Sequence, residues 1–318
     1  MPSIMKSLTD VFYKKKPEAP PPPAITTSMA VLLLVLYTLL YVIPFYLSPK
    51  TRPSPTLSRD APSVIRARIT SVTITCIVTS LTTFYILVAK GDYGNGDAFH
   101  AMGYWPVGIP EALKALLLTA LLFLGPLFES LVVESGWRGW MTLAPVKEVM
   151  NEMTAWRNIV AGPLTEEILF RSSAIPLMVL ARTPLTKTIF LSPLVFGLAH
   201  VHHFYEFRLT HRGVPAAAAL LRSAFQLGYT TVFGAYATFV YLRTGSALAV
   251  FAVHVLCNCM GLPRVWGRVE GRSEDGRWAV PLARGWSVAY YLLLVVGAVA
   301  WWRGLWALTE SGNALVAM

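Results

Sequence analysis

Hydrophobic positions along the chain do not alternate or recur as one face of an amphipathic helix. They run together in long blocks at 28–47, 69–89, 112–133, 155–181, 185–206, 217–242, 246–262 and 285–308. A helix needs about 20 apolar residues to cross a bilayer, so the pattern predicts about eight transmembrane helices. Pro44 and Pro163 fall inside two of these blocks, where a missing N–H and a ring clash distort a helix. Between the third and fourth blocks, residues 134–154 carry Trp137 and Trp140 among charges, the composition of a helix lying in the interface. The expected fold is therefore all-α, a polytopic membrane protein around a polar cavity. Residues 1–27, with Lys14–Lys16 and Pro20–Pro23, read as a disordered tail. Residues 28–310 read as the membrane domain, with its core at about 123–263, and 311–318 as a C-terminal tail.

Composition sharpens this picture. Of 318 residues, 55% are hydrophobic and only 14% charged, against about 25% charged in soluble domains. The net charge of +10 does not indicate nucleic acid, because the basic residues sit in short loops between apolar blocks. Lys50, Arg52, Arg59, Arg66 and Arg68, then Arg138 and Lys147, Arg208 and Arg212, and Arg264, Arg268, Arg272 and Arg277 follow odd-numbered blocks. The positive-inside rule then places those loops in the cytosol and both termini on the far side; the lysine-rich tail points the other way. Contact with membrane lipid is expected. Cys76, Cys257 and Cys259 lie in apolar blocks without CxxC spacing and read as small buried side chains.

The fourth block holds Glu166, Glu167 and Arg171. Ionisable groups at such depth are costly and mark function. Glu167 and Arg171 are one helical turn apart in the favourable order for an ion pair. Glu166 projects about 100° away, without that counter-charge. Deeper in the sequence, Phe196 is followed by His200, and His254 shares a helix face with Asn258. Counted from the cytosolic ends, Glu166, His200 and His254 lie two to three turns in, roughly 9–18 Å at 1.5 Å per residue. A carboxylate with a histidine can take a proton from water. A second histidine and an amide can donate to an oxyanion. This suits amide hydrolysis by activated water. Glu166, His200 and His254 equally suit a zinc site with one open position. A non-catalytic scaffold and a proton-coupled transporter are the remaining readings. His202, His203 and His211 read as interhelical hydrogen-bonding groups.

In this order, Glu166-Glu167-x-x-x-Arg171, Phe196-x-x-x-His200 and His254-x-x-x-Asn258 resemble the CAAX-processing and bacteriocin-self-immunity membrane protease family. Arg157-Asn158, His200-x-His202-His203-Phe204, Phe225-Gln226-x-x-Tyr229-Thr230-Thr231-x-Phe233-Gly234 and Asn258-x-Met260-Gly261-x-Pro263 resemble its eukaryotic, Ras-converting branch. The resemblance covers about 123–263. It implies an endoplasmic-reticulum endopeptidase that removes the last three residues from farnesylated or geranylgeranylated CAAX proteins, with no cofactor. It implies that Glu166 and His200 activate water, that His254 and Asn258 hold the oxyanion, and that Glu167, Arg171 and Phe196 support the site. Basic residues at the rim, among them Arg208, Arg212 and Arg264, would meet the substrate's terminal carboxylate.

Overall fold

A computed structural model describes residues 22–54, 57–272 and 279–318. The expected tail lies outside the described residues up to position 21. Eight helices carry the fold: α1 (Thr27–Val42), α2 (Pro62–Gly91), α3 (Ile109–Leu122), α4 (Gly162–Glu167), α5 (Leu185–Ala199), α6 (Ala216–Thr244), α7 (Ala247–Met260) and α8 (Arg284–Leu308). Shorter helical pieces connect them, and one two-stranded hairpin, β1 (Glu270–Arg272) with β2 (Ala279–Pro281), precedes α8. Thr27–Leu47, α2 and α8 are each long and apolar enough to cross a membrane, and α3 with its continuation is apolar enough to do so as a pair but bends by 83°, the form of a broken span or a re-entrant loop. Leu32, Leu36 and Leu40 on α1 and Leu292, Val295 and Val299 on α8 stand exposed, as lipid-facing positions do. The chain is a polytopic α-helical membrane protein.

The apolar blocks map onto these helices with four departures, three of them with a local cause. First, Pro44 begins a separate helical turn after Ile43, as its missing donor dictates. Second, α3 stops at Leu122, and the helical stretch resumes as Leu124–Val133 at 83° to it.

Third, the block at 155–181 is not a uniform α-helix. It has a wide π-turn at Arg157–Ala161, then α4, then a second π-turn at Ile168–Ser173 before Ile175–Leu180. Pro163 and Pro176 each sit in the first turn of the α-segment that follows a π-turn. Each proline lacks the N–H that an uninterrupted helix would use, and the wider turn immediately before it absorbs the mismatch.

Fourth, the block expected to run unbroken from 185 to 206 ends as α5 at Ala199, and a new helix runs His202–Thr210. Histidine side chains cause the break. The Nδ1 of His200 takes the Phe196 carbonyl at 2.9 Å, and the Nδ1 of His202 takes the Ala199 carbonyl at 2.6 Å. These are the last-turn carbonyls a continuing helix would need.

Packing fixes the depth of the polar groups. One buried cluster joins Leu34, Tyr37 and Tyr41 of α1, Val72 of α2, Leu169 and Phe170, and Phe196 of α5. A second joins Ala112 and Ala115 of α3, Val240 and Tyr241 of α6, and Ala249, Val250 and Val253 of α7. Helices α5 and α6 approach closely because Gly197 faces Thr231 and Leu227, while Gly234 faces Pro193 and Phe196. Small residues at such seams let membrane helices pack backbone to backbone. The α6–α7 turn is tight: Gly245 adopts φ 58°, and Ser246 caps α7 by accepting from the Ala249 N–H. This turn holds His254 at a set height against α4.

Candidate active site

The helices enclose a cavity of about 1290 Å³ lined by Glu166, His200, His254 and Asn258. These four come from α4, the end of α5, and α7. Glu166 stands between the two π-turns, at the end of the segment that Pro163 begins. Its nearest histidine nitrogen among the described residues is Nε2 of His254, at 3.9 Å.

Glu167 faces the other way and is buried. Its Oε1 accepts from Nη1 of Arg171 at 3.0 Å and lies 2.6 Å from Nδ1 of His254. Its Oε2 has no partner among the described residues. Arg171, equally buried, donates from Nη2 to the Gly234 carbonyl at 3.3 Å. Its guanidinium lies over Phe196 at 4.8 Å and Phe233 at 5.7 Å from the ring centroids. Aromatic faces stabilise a cation in a site without water. The ion pair expected from the four-residue spacing is thus present, and Glu167 holds His254 as well.

Hydrogen bonding fixes the histidine tautomers by elimination. A carbonyl oxygen only accepts, so the His200 Nδ1 facing Phe196 carries hydrogen, and Nε2 of the neutral ring is an acceptor. Nδ1 of His254 donates to Glu167, which leaves Nε2 toward Glu166. Asn258 gives one of its two amide hydrogens to the Asn158 carbonyl at 2.9 Å, and the other remains for the cavity. Around this set, Tyr41 hydrogen-bonds Thr165, and Cys76 donates to the Thr165 carbonyl at 3.3 Å. Cys76 is buried and Cys257 partly so.

A metal would need a closer gathering of ligands. Among the described residues, the group whose ligand atoms all fall within 4.8 Å of one another is His202, His203 and Glu206, not Glu166, His200 and His254. Glu206 in that group is already engaged by Arg68 at 2.6 Å and Arg59 at 3.3 Å. His203 contacts Glu206 at 3.2 Å. His211 stacks on Phe207.

The cationic groups on the cavity wall are not those expected from the loops. Arg208 donates to the Val214 carbonyl at 2.6 Å, and Arg264 pairs with Glu129 at 2.9 Å. Neither of these, nor Arg212, lines the cavity; Arg59, Arg68 and Arg157 do. Sequence reading placed Arg59 and Arg68 only as orientation charges and Arg157 only as part of a motif. Their convergence depends on how Arg59 and Asp60 fold back over the start of the fourth block. One sequence signal pointed there: an arginine at the mouth of a block whose later turns hold the carboxylates.

A membrane-embedded bundle with a carboxylate, two histidines and an amide lining one large cavity defines an intramembrane hydrolase-like class. Residues 148–260 match the family model described as Type II CAAX prenyl endopeptidase Rce1-like. The probable CAAX prenyl protease 2 of Schizosaccharomyces pombe is 35% identical over 277 residues, covering 87% of this chain and 92% of that protein. The human CAAX prenyl protease 2 is 35% identical over 76% of this chain and 73% of its own length. That of Arabidopsis thaliana is 33% identical over 74% and 81%. No solved structure matches the chain. The chain belongs to the Rce1-like family of type II CAAX prenyl endopeptidases.

Proposed function

We infer that the protein is an endopeptidase that removes the C-terminal tripeptide from farnesylated or geranylgeranylated CAAX proteins. The observation that carries this reading is the division of labour in the Glu pair. Glu167 is consumed by Arg171 and His254, while Glu166 lines the cavity beside the open faces of His200, His254 and Asn258. In this reading Glu166 and His200 take a proton from a water that attacks the carbonyl carbon of the prenylated cysteine. His254 Nε2 and the free Asn258 N–H donate to the oxyanion, and preorganised donors of this kind act strongly in a site shielded from water. Nε2 donates only when both ring nitrogens carry hydrogen; a carboxylate faces each of them. On collapse the C–N bond breaks and the abstracted proton goes to the leaving amine of the tripeptide. Glu167, Arg171 and Phe196 hold this geometry.

Residues 28–310 act as the protease domain, with the catalytic core at about 123–263. The basic odd-numbered loops support an orientation in which the cavity opens to the cytosol, in the endoplasmic-reticulum membrane, where prenylated tails lie in the facing leaflet. Membrane lipid surrounds the bundle. The test is cleavage of a farnesylated CAAX peptide by the purified protein, with and without a strong zinc chelator. Cleavage that survives chelation and disappears in Glu166→Gln is the expected result. Loss on chelation with recovery on zinc would replace the water mechanism by a metal one. No cleavage by folded protein would favour a scaffold.

A further inference from the structure

Three guanidinium groups line the cavity, those of Arg59, Arg68 and Arg157, while Glu166 is the one acid among its described lining residues. The acids that hold these arginines, Asp60 and Glu206, stand outside the lining. Arg157 donates to Asp60 at 2.8 Å, and Arg68 and Arg59 reach Glu206. The wall of the cavity therefore presents cations whose anions lie behind them.

The three differ in how far they are committed. Arg68 gives Nε and Nη2 to the Thr51 carbonyl, gives Nη2 also to Glu206, and lies over Phe45; it is a structural clamp. Arg157 uses Nε on the Asn158 side chain and Nη1 on Asp60 and the Arg59 carbonyl. Its Nη2 has no partner among the described residues. Arg59 is held by Glu206 at 3.3 Å, lies 3.8 Å from Asp60 and 3.4 Å from His203 Nδ1, and is partly buried. Burial, and the like charge of Arg157 working against the pull of Glu206, hold its pKa below the ordinary arginine value. That crowding is what an incoming anion relieves.

Distance selects the anion. Arg157 precedes Glu166 by nine residues of the fourth block, roughly 14 Å along its axis at about 1.5 Å per residue, and the long arginine side chain covers the difference to a tripeptide. A tripeptide leaving group, extended at about 3.3 Å per residue, places its terminal carboxylate about 10 Å from the bond being cut. The direction agrees as well, since Arg157 stands in the first π-turn of the fourth block, at its loop end, and Glu166 further into it.

Resting on the function inferred above, we propose that Arg157, with Arg59 beside it, binds the free C-terminal carboxylate of the substrate and so sets the cut three residues from the chain end. A guanidinium fork matches a carboxylate in two parallel hydrogen bonds. A ruler of this kind excludes internal cysteines and tails extended by further residues.

The test compares two farnesylated peptides identical except for a C-terminal carboxylate or carboxamide, cleaved by the full chain in detergent micelles. The wild type favours the acid by about tenfold in kcat/KM, expressed mainly in KM, as a charge-assisted bond implies. Arg157→Gln brings the ratio close to one, and Arg157→Lys restores part of it. A merely structural role would slow both peptides alike and leave the ratio standing. Arg59→Gln gives a second measurement, with a smaller fall in the ratio, should R157Q not accumulate. A wild-type ratio near one, or a ratio unchanged in both R157Q and R59Q, overturns the proposal while cleavage itself upholds the protease. Cleavage of neither peptide by folded wild type overturns the protease reading instead.

Discussion

Nδ1 of His254 lies 2.6 Å from Oε1 of Glu167, so the second carboxylate of the pair, not the first, holds the ring. The two adjacent glutamates therefore differ in kind, and their amides should behave differently. Glu166→Gln is expected to lower kcat by about 10²–10⁴-fold, the range of a lost general base, without shifting the thermal midpoint in detergent. Glu167→Gln should lower both activity and midpoint. Cleavage assays alongside thermal unfolding separate the two, and equal effects would contradict the division.

Arg171 is expected to be the most costly single charge to remove. It is buried against Glu167 and roofed by Phe196 and Phe233. Breaking a buried pair strands the remaining charge and costs about 3–5 kcal/mol. Arg171→Met should show this as a large fall in unfolding midpoint, with poor accumulation in membranes. A midpoint within error of wild type would mean the pair contributes nothing net.

The α5–α6 seam predicts a sharp contrast between two glycines. A Cβ at Gly234 would stand 2.7 Å from Pro193 Cβ and 3.4 Å from Arg171 Nη2, whereas one at Gly228 meets nothing within 4 Å. Gly234→Ala should cost about 1–3 kcal/mol through overpacking and reduce kcat by displacing α5, which ends at His200. Gly228→Ala should leave the midpoint unchanged, because its Cβ would stand in open cavity space. A fall in midpoint in the second would place the sensitivity in the backbone and not in the seam.

Thiol chemistry gives the fourth expectation. Cys257 lines the cavity, and Cys76 donates to a backbone carbonyl. Neither has the exposed, electropositive setting that makes a thiolate nucleophile. Replacing all three cysteines with alanine should leave kcat within about threefold of wild type. Abolished cleavage in a well-folded triple variant would assign the attack to sulfur.

The sequence makes the level of the site readable because depth in a membrane helix is counted from its ends. Glu166, His200 and His254 fall two to three turns in, and the four-residue spacing puts His254 and Asn258 on one face. What stays hidden is set by partners distant in sequence or by side chains competing with the backbone. The break after Ala199 needs His200 and His202 to take their own helix's carbonyls. The grip of Glu167 on His254 spans 87 residues, so the spacing shows only its local partner, Arg171. The convergence of Arg59 and Arg157 requires the Asp60 contact, made by a loop with no periodicity to read. The π-turns before Pro163 and Pro176 show how a proline that marks a distortion leaves its form unstated.

The 83° bend at Phe123 also has a kinetic meaning. Leu122 and Phe123 line the cavity where α3 turns away, so one part of its wall is apolar while another carries guanidinium groups. On the function proposed above, a substrate with an isoprenoid tail and a charged end would enter that slot from within the bilayer. The search for it would then be two-dimensional, and its mole fraction among lipids would govern turnover. Diluting the same enzyme and substrate with inert phospholipid would slow the reaction, whereas diluting the vesicles with buffer would not.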